Sequence, residues 1–241
     1  MNLYTAWLTA GESTGWFAEF TRTFEKCFIR EDRYKLLLEG VGVTIKISLL
    51  AALLGLIIGF LIASCSLSKH KLLRFFGKVY TDVIRGTPSV TQLMIIYFVI
   101  FATVDLDKWI IAAIAFSINS GAYVAEIIRA GILSIDKGQT EAGRSLGLNG
   151  IQTMFYIVIP QAVKNIFPAM CNEFITLIKE TAIVGYVGLM DIQKAGDFIK
   201  SATYLAFMPL IATAIIYFVM IKILTTLFGF LEKILRKSDI R

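Results

Sequence analysis

Long apolar runs constrain this chain more than any other feature. Val41 to Cys65 is one nearly unbroken hydrophobic stretch. A helix that crosses a bilayer needs about 20 mostly apolar residues, and it satisfies its own backbone donors and acceptors in lipid. Four more stretches fit that description. Pro88 to Thr103 is short. Lys108 to Gly131 is polar on one side, and Asn165 to Leu189 carries charge inside it. Ala206 to Leu231 is the last, with Pro209 near its start, where a missing backbone donor costs least. The expected fold is an all-α integral membrane protein with five transmembrane helices. Composition agrees, because 56% hydrophobic and 17% charged residues is poorer in charge than a soluble domain. Gly55 and Gly59 lie four apart, a spacing that suits close helix contact.

The segment Trp16 to Glu39 has another character. Phe17, Phe20, Phe24, Phe28 and Leu38 recur at roughly helical spacing, with Arg22, Lys26, Arg30 and Arg33 between them. This pattern predicts an amphipathic helix, lying on the membrane surface or packed against the protein itself. Residues 1–40 form this N-terminal segment, 41–231 the transmembrane domain and 232–241 a tail. No basic start followed by an apolar block marks a cleavable signal peptide in the first forty residues.

Net charge is +6, and in a membrane protein it belongs mostly to cytoplasmic loops. Lys69, Lys71, Arg74, Lys78 and Arg85 crowd the connection after the first span, whereas 104–108 is acidic with one lysine. Lys137 and Arg144 follow the third span, and Lys233, Arg236, Lys237 and Arg241 end the chain. The positive-inside rule places these basic regions and the C-terminus in the cytoplasm, and five spans then put the N-terminus outside. Basic residues in the N-terminal segment run against the rule, although Glu19, Glu25, Glu31, Asp32 and Glu39 interleave with them. Cys27, Cys65 and Cys171 have no metal or redox spacing, so packing is their expected role. With His70 as the single histidine, neither a multi-histidine metal site nor a Ser-His-acid set is expected. No Gly-rich phosphate loop ending in Gly-Lys-Ser/Thr is present, so no catalytic residue is assigned.

Between the third and fourth spans lies a long polar loop, about 134–160. It contains Glu141-Ala142-Gly143-Arg144-Ser145-Leu146-Gly147 and runs on to Ile157-Val158-Ile159-Pro160. Thr140 to Leu146 reads as a short helix, with Thr140 its N-cap, Gly147 and Gly150 ending it, and Pro160 marking the return to the membrane. Glu141, Ala142, Gly147, Ile157 and Pro160 match the spacing of the coupling loop of ABC importer permeases, which this segment closely resembles. Gly143 stands where Ala is usual and should loosen the short helix. Arg85-Gly86-Thr87-Pro88 with Gln92-Leu93, the block Ala122 to Gly131, Asn172-Glu173-Phe174 and Leu177 to Thr181 continue the likeness in order. Over about 40–231 the chain resembles the permease subunit of polar amino-acid ABC transporters of type I.

That resemblance implies an amino-acid permease in the bacterial cytoplasmic membrane. It implies a second permease subunit (identical or related), a cytoplasmic ABC ATPase dimer that binds ATP, and an extracytoplasmic substrate-binding protein. The permease itself would hold no cofactor and no metal. Thr140, Glu141, Ala142, Arg144 and Gly147 would couple to the ATPase. A permease for another small solute is the nearest alternative, and a secondary transporter is a more distant one, for which no inverted repeat is evident.

Charge inside a bilayer is costly and turns toward a bundle interior or a watery cavity. At about 100° per residue, Asn165, Asn172, Glu173, Thr176, Lys179 and Glu180 share roughly a third of the fourth span's circumference. Phe167, Phe174, Ile175, Leu177, Ile178 and Ala182 take the remainder. The polar arc reads as a lining for the substrate path, or else as a structural network in which Lys179 and one glutamate neutralise each other. Glu173 or Glu180 would meet an ammonium, and Lys179, Asn172 or Thr176 a carboxylate. In the third span Asn119 and Tyr123 are candidates for the same path, while Glu126 and Arg129 sit at pairing distance along a helix. Gln92 fits a helix-to-helix hydrogen bond as well as substrate contact.

Overall fold

The computed structural model describes residues 15–236, and among these every regular element is helical. Lys237 and Arg241 of the tail, and 1–14 of the N-terminal segment, lie outside the described residues. α1 (Trp16–Phe24) leads through a wide turn at Glu25–Ile29 to α2 (Tyr34–Leu67). α3 (Lys71–Arg85) and α4 (Ser89–Ile95, continued to Ile100) come next, followed by α5 (Lys108–Leu133). α6 (Lys137–Ser145), α7 (Gly150–Thr153) and α8 (Ile159–Glu180) follow, α8 running on as a tighter turn over Thr181–Val187. α9 (Ile192–Thr203) and α10 (Phe207–Arg236) complete the chain.

The centre is the pair α2 and α5, and small residues let them approach. A Cβ on Gly55 would stand 3.3 Å from Ser120 Cβ, and one on Gly121 would stand 2.7 Å from Ile58 Cγ2. Gly59 is pressed against Val124 in the same seam. Ile47, Ala51, Ala112, Ala113 and Phe116 fill the core beside it. The close contact expected of Gly55 and Gly59 is therefore present, and its partner is α5.

Four helices are long and apolar enough to cross a membrane: Tyr34–Leu67, Lys108–Leu133, Gly150–Val187 and Phe207–Leu235. The second expected span differs. It is not a straight crossing over Pro88 to Thr103 but a bent pair, Lys71–Arg85 with Ser89–Ile100, meeting at 103°. Counting that pair as one broken span gives five. Pro88 explains the break, because it has no amide hydrogen and keeps the preceding residue out of the helical region. The fourth span also begins earlier than Asn165, since helix runs on from Gly150 through Pro160. Pro160 sits in the first turn of α8, where it is tolerated, so it does not interrupt the chain there.

The N-terminal segment is not one helix to Glu39. Glu31 and Asp32 take positive φ, 57° and 54°, and break it; Leu38 and Glu39 belong to α2. Trp16 and Phe17 on α1 are exposed, while Cys27 and Phe28 pack against Ala195 and Ile199 of α9. One end of the segment thus presents aromatic surface and the other is held by the protein.

α9 was not expected from the sequence. Its N-cap is Asp191, fully buried, which accepts from the backbone N–H of Gln193 (3.1 Å) and Lys194 (3.0 Å) and from the Tyr217 hydroxyl (3.1 Å). Burial pushes the Asp191 carboxyl up from its ordinary pKa, and the hydrogen bonds oppose that shift. Gly40 lets α2 lie on this corner, since a Cβ there would be 2.7 Å from the Asp191 carbonyl carbon. One end of the bundle therefore carries Asp191, Gly188, and Lys46 with its ammonium 3.6 Å from the Trp109 ring centroid. The opposite end carries α3, the close of α5 and the loop helix α6.

Candidate transport path and coupling loop

α6 is the short helix expected in the polar loop, with different ends. Its N-cap is Asp136, whose carboxylate accepts from Gly138 N–H at 2.7 Å, so Thr140 lies inside the helix and does not cap it. The shift arises because an aspartate before Lys137-Gly138 offers a better-placed acceptor to the first turn. Gly147 does end the helix, at φ 86°. The Gly147 N–H donates to Arg144 O (3.1 Å) and the Leu148 N–H to Gly143 O (3.2 Å), the two bonds of a left-handed glycine cap. Gly150 instead opens α7, behind an Asn149–Gln152 capping box.

Gly143 has a packing reason. A Cβ there would meet Ile157 Cδ1 at 2.7 Å and Thr153 Cγ2 at 2.9 Å, so the missing methyl seats α6 on the turn that follows α7. The Arg144 guanidinium donates to Leu148 O at 2.9 Å and braces the tip. Thr140, Glu141, Ala142 and Arg144 are exposed, and so is Leu146, at 81%. A braced loop helix thus ends in an apolar side chain held out from the protein. Sequence reasoning passed over Leu146; its signal was an apolar residue just before the terminating glycine.

The polar arc of α8 is present. Asn165, Asn172, Thr176 and Lys179 are exposed, and Glu173 and Glu180 are half-buried. Cys171, Ile175, Leu177 and Ile178 are buried against the bundle, and Phe174 packs edge-on against Phe228 of α10. Glu173 accepts from the Ser120 hydroxyl of α5 at 2.8 Å. Among the described residues Lys179 makes no ion pair, so the neutralising Lys179–glutamate pair is not formed.

On α5, the pair expected from spacing is formed: Arg129 donates to both Glu126 oxygens, at 2.6 and 2.9 Å. Tyr123 is half-buried, with the Arg85 guanidinium 5.2 Å from its ring centroid. Asn119 is buried, and its amide donates to Gln92 Oε1 at 2.9 Å. The Gln92 amide in turn donates to Ile84 O (2.7 Å) and Thr87 Oγ1 (2.6 Å). These bonds tie the bend at Pro88 to α5 and place Asn119 behind the polar surface. Ser120, which reaches Glu173, was not singled out from the sequence, because one hydroxyl beside three polar neighbours carries no periodic signal.

Residues 55–237 match the family model described as binding-protein-dependent transport system inner membrane component. The chain belongs to that family. The match takes in α6 and the whole polar face of α8 in this permease. The arginine transport system permease protein ArtQ of Bacillus subtilis is 43% identical to it over 205 residues, 84% of this chain and 94% of that one. The glutamine transport system permease protein GlnP of Escherichia coli is 35% identical over 201 residues, 82% of this chain and 92% of that one. A crystal structure of an amino acid ABC transporter with histidines superposes with TM-score 0.79 at 42% identity, covering 86% of this permease and 97% of its own chain. The permease shares the all-helical architecture of type I ABC importers.

Proposed function

We propose that this permease carries amino acids across the cytoplasmic membrane of a bacterium, as the membrane-spanning subunit of an ATP-driven importer. The observation that carries this reading is the face of α8. Asn172, Thr176 and Lys179 are uncovered in the single chain, beside the half-buried Glu173 and Glu180. Such a face is intolerable against lipid and requires either water or a second subunit. Two copies, or this chain and a relative, facing each other across it would enclose a polar path. Glu173 and Glu180 offer carboxylates to an ammonium or cationic side chain, and Lys179, Asn172 and Thr176 offer donors to a carboxylate. Tyr123 borders the same path and Asn119 supports its wall.

The energy comes from outside the chain. α6 inserts into a groove on a cytoplasmic ABC ATPase, led by Leu146, with Thr140, Glu141, Ala142 and Arg144 around it. Motion of the ATPase on binding ATP then reaches α5 and α8 through the brace at Gly143. The permease holds no nucleotide or metal of its own and catalyses no reaction. A binding protein delivers substrate on the outer side, where the N-terminal segment lies; α3, α6 and the C-terminus are cytoplasmic.

Reconstitution with the cognate ATPase and binding protein in proteoliposomes tests the reading. ATP-dependent amino-acid accumulation is expected, abolished by Gly147→Trp, which the positive φ of 86° at that position opposes. Accumulation without ATPase points to a secondary transporter, and accumulation of another solute class replaces the substrate. Single cysteines at positions 74, 144 and 105, in a cysteine-free background, test orientation. A membrane-impermeant thiol reagent applied to intact cells should label position 105 and spare the other two.

A further inference from the structure

A cavity of about 400 Å3 lies between α3 and the last turns of α5, at the end of the bundle that carries α6. Arg74, Lys78 and Arg85 line it from α3 and Arg129 from α5, against two carboxylates, Asp82 and Glu126. Glu126 is already engaged by Arg129. Among the described residues neither Arg74 nor Lys78 has an ion-pair partner. The cavity lining therefore sets four cations against two carboxylates, an excess of two positive charges.

The helix that supplies those cations has a second exposed side. Leu72, Phe76, Val79 and Val83 are all exposed and lie on the flank of α3 turned away from Arg74, Lys78 and Arg85, and the exposed Phe75 lies between that flank and Lys78. Gly77 and Tyr80 form the third side, which is the packed one: Gly77 is pressed against Ser66, and the Tyr80 hydroxyl donates to Ile118 O at 2.7 Å. A helix fixed on one side, basic on the next and apolar on the third suits a ligand that is itself anionic at one end and hydrocarbon at the other. Basic pockets between membrane helices on the cytoplasmic side bind anionic lipid headgroups. Guanidinium groups pair with phosphate through parallel hydrogen bonds. A soluble anion would satisfy Arg74 and Lys78 and leave the phenylalanines uncovered.

We propose that this cavity binds the phosphate of an anionic phospholipid of the inner leaflet, with its acyl chains along Leu72, Phe76 and Val79. The proposal needs α3 on the cytoplasmic side but does not depend on which solute is carried.

Native mass spectrometry of the purified permease–ATPase complex tests it, with phosphatidylglycerol and phosphatidylcholine titrated in turn. Phosphatidylglycerol should be retained on the wild type about tenfold better than phosphatidylcholine, and Arg74→Gln with Lys78→Gln should lower its retention about tenfold. Lys69→Gln with Lys71→Gln removes equal charge outside the cavity and should leave retention unchanged. Equal loss in both double variants, or no loss in the first, overturns the site. So does inorganic phosphate raising the melting temperature of the wild type through Arg74 and Lys78 where phosphatidylglycerol does not, since the occupant is then a soluble anion. If the first double variant does not fold, Lys78→Met alone carries the test, with about threefold loss expected. Failed amino-acid uptake in proteoliposomes would count against the transport reading and leave this retention measurement untouched.

Discussion

α5 and α10 are both long membrane helices, yet 67% of the central stretch of α5 is buried inside the protein and only 11% of that of α10. The more buried helix is the one with Ser117, Asn119, Ser120 and Gly121 in its middle; the exposed one carries Ile211, Ile215, Phe218, Val219 and Ile223 on its surface. In water this order would be reversed. In lipid there is no gain from hiding leucine or phenylalanine from the surroundings, so close packing and hydrogen bonds decide which helix is central. Small residues bring α2 and α5 together, and hydroxyl and amide groups fasten α5 to α4 and α8.

The largest expected effect is at the small-residue seam. Gly59→Leu should abolish stable complex, because the added side chain must displace Val124 in packed surroundings, at a cost of about 3 kcal/mol or more. Melting of the purified permease–ATPase complex and its abundance in membranes report this. If Gly59→Leu assembles normally, α2 and α5 are not the fixed pair and the contrast with α10 is lost.

Next comes the corner at Asp191, where α10 makes a polar contact with the bundle through the Tyr217 hydroxyl. Asp191→Ala removes the cap of α9 and leaves the Tyr217 hydroxyl without its acceptor, which together cost about 2–4 kcal/mol. Tyr217→Phe should cost less, because the carboxylate keeps its two backbone donors. Hydrogen exchange across α9 separates the two variants: fast exchange in Asp191→Ala and near-native protection in Tyr217→Phe are expected. Equal protection in both would mean that the cap does not hold α9 in place.

Glu173→Gln sharpens the comparison within the proposed path. Uptake should fall about tenfold at constant abundance, most for a cationic amino acid, as one charge-assisted contact is worth about 1.4 kcal/mol or more. Phe174→Leu, which faces α10, is the packing control. Uptake and abundance falling together would make Glu173 a structural partner of Ser120 instead. The smallest effect belongs to the lipid-facing side: Phe218→Leu on α10 should change stability by about 0.5 kcal/mol or less. A larger loss there would reveal a protein contact on a surface assigned to lipid.

Much of the loop was readable in advance. Gly147 as the terminator, the helix before it and the Glu126–Arg129 pair all follow from local rules that operate over three or four residues. The cap was misplaced to Thr140 because Asp136 and Thr140 both satisfy the residue-type preference, and only the backbone path chooses between them. The polar arc of α8 was also readable, since helical spacing alone collects Asn172, Glu173, Thr176, Lys179 and Glu180. Their partners were not. Ser120 is fifty-three residues from Glu173 in sequence, and nothing periodic connects them.

The sequence by itself determined that the chain is helical, that it lives in lipid, which side of α8 is polar and where a structured loop interrupts the spans. These depend on hydropathy, helical period and glycine chemistry, all of which are local. Tertiary structure alone decided that Pro88 marks a bend of 103°, that α9 tucks its Asp191 cap under Tyr217, and that Gly143 is small because Thr153 and Ile157 press on it. It also decided that α3 carries a basic cavity beside an apolar flank. Those features arise where distant segments meet, and in a membrane the apolar pattern that would announce such meetings in water is the same on every helix.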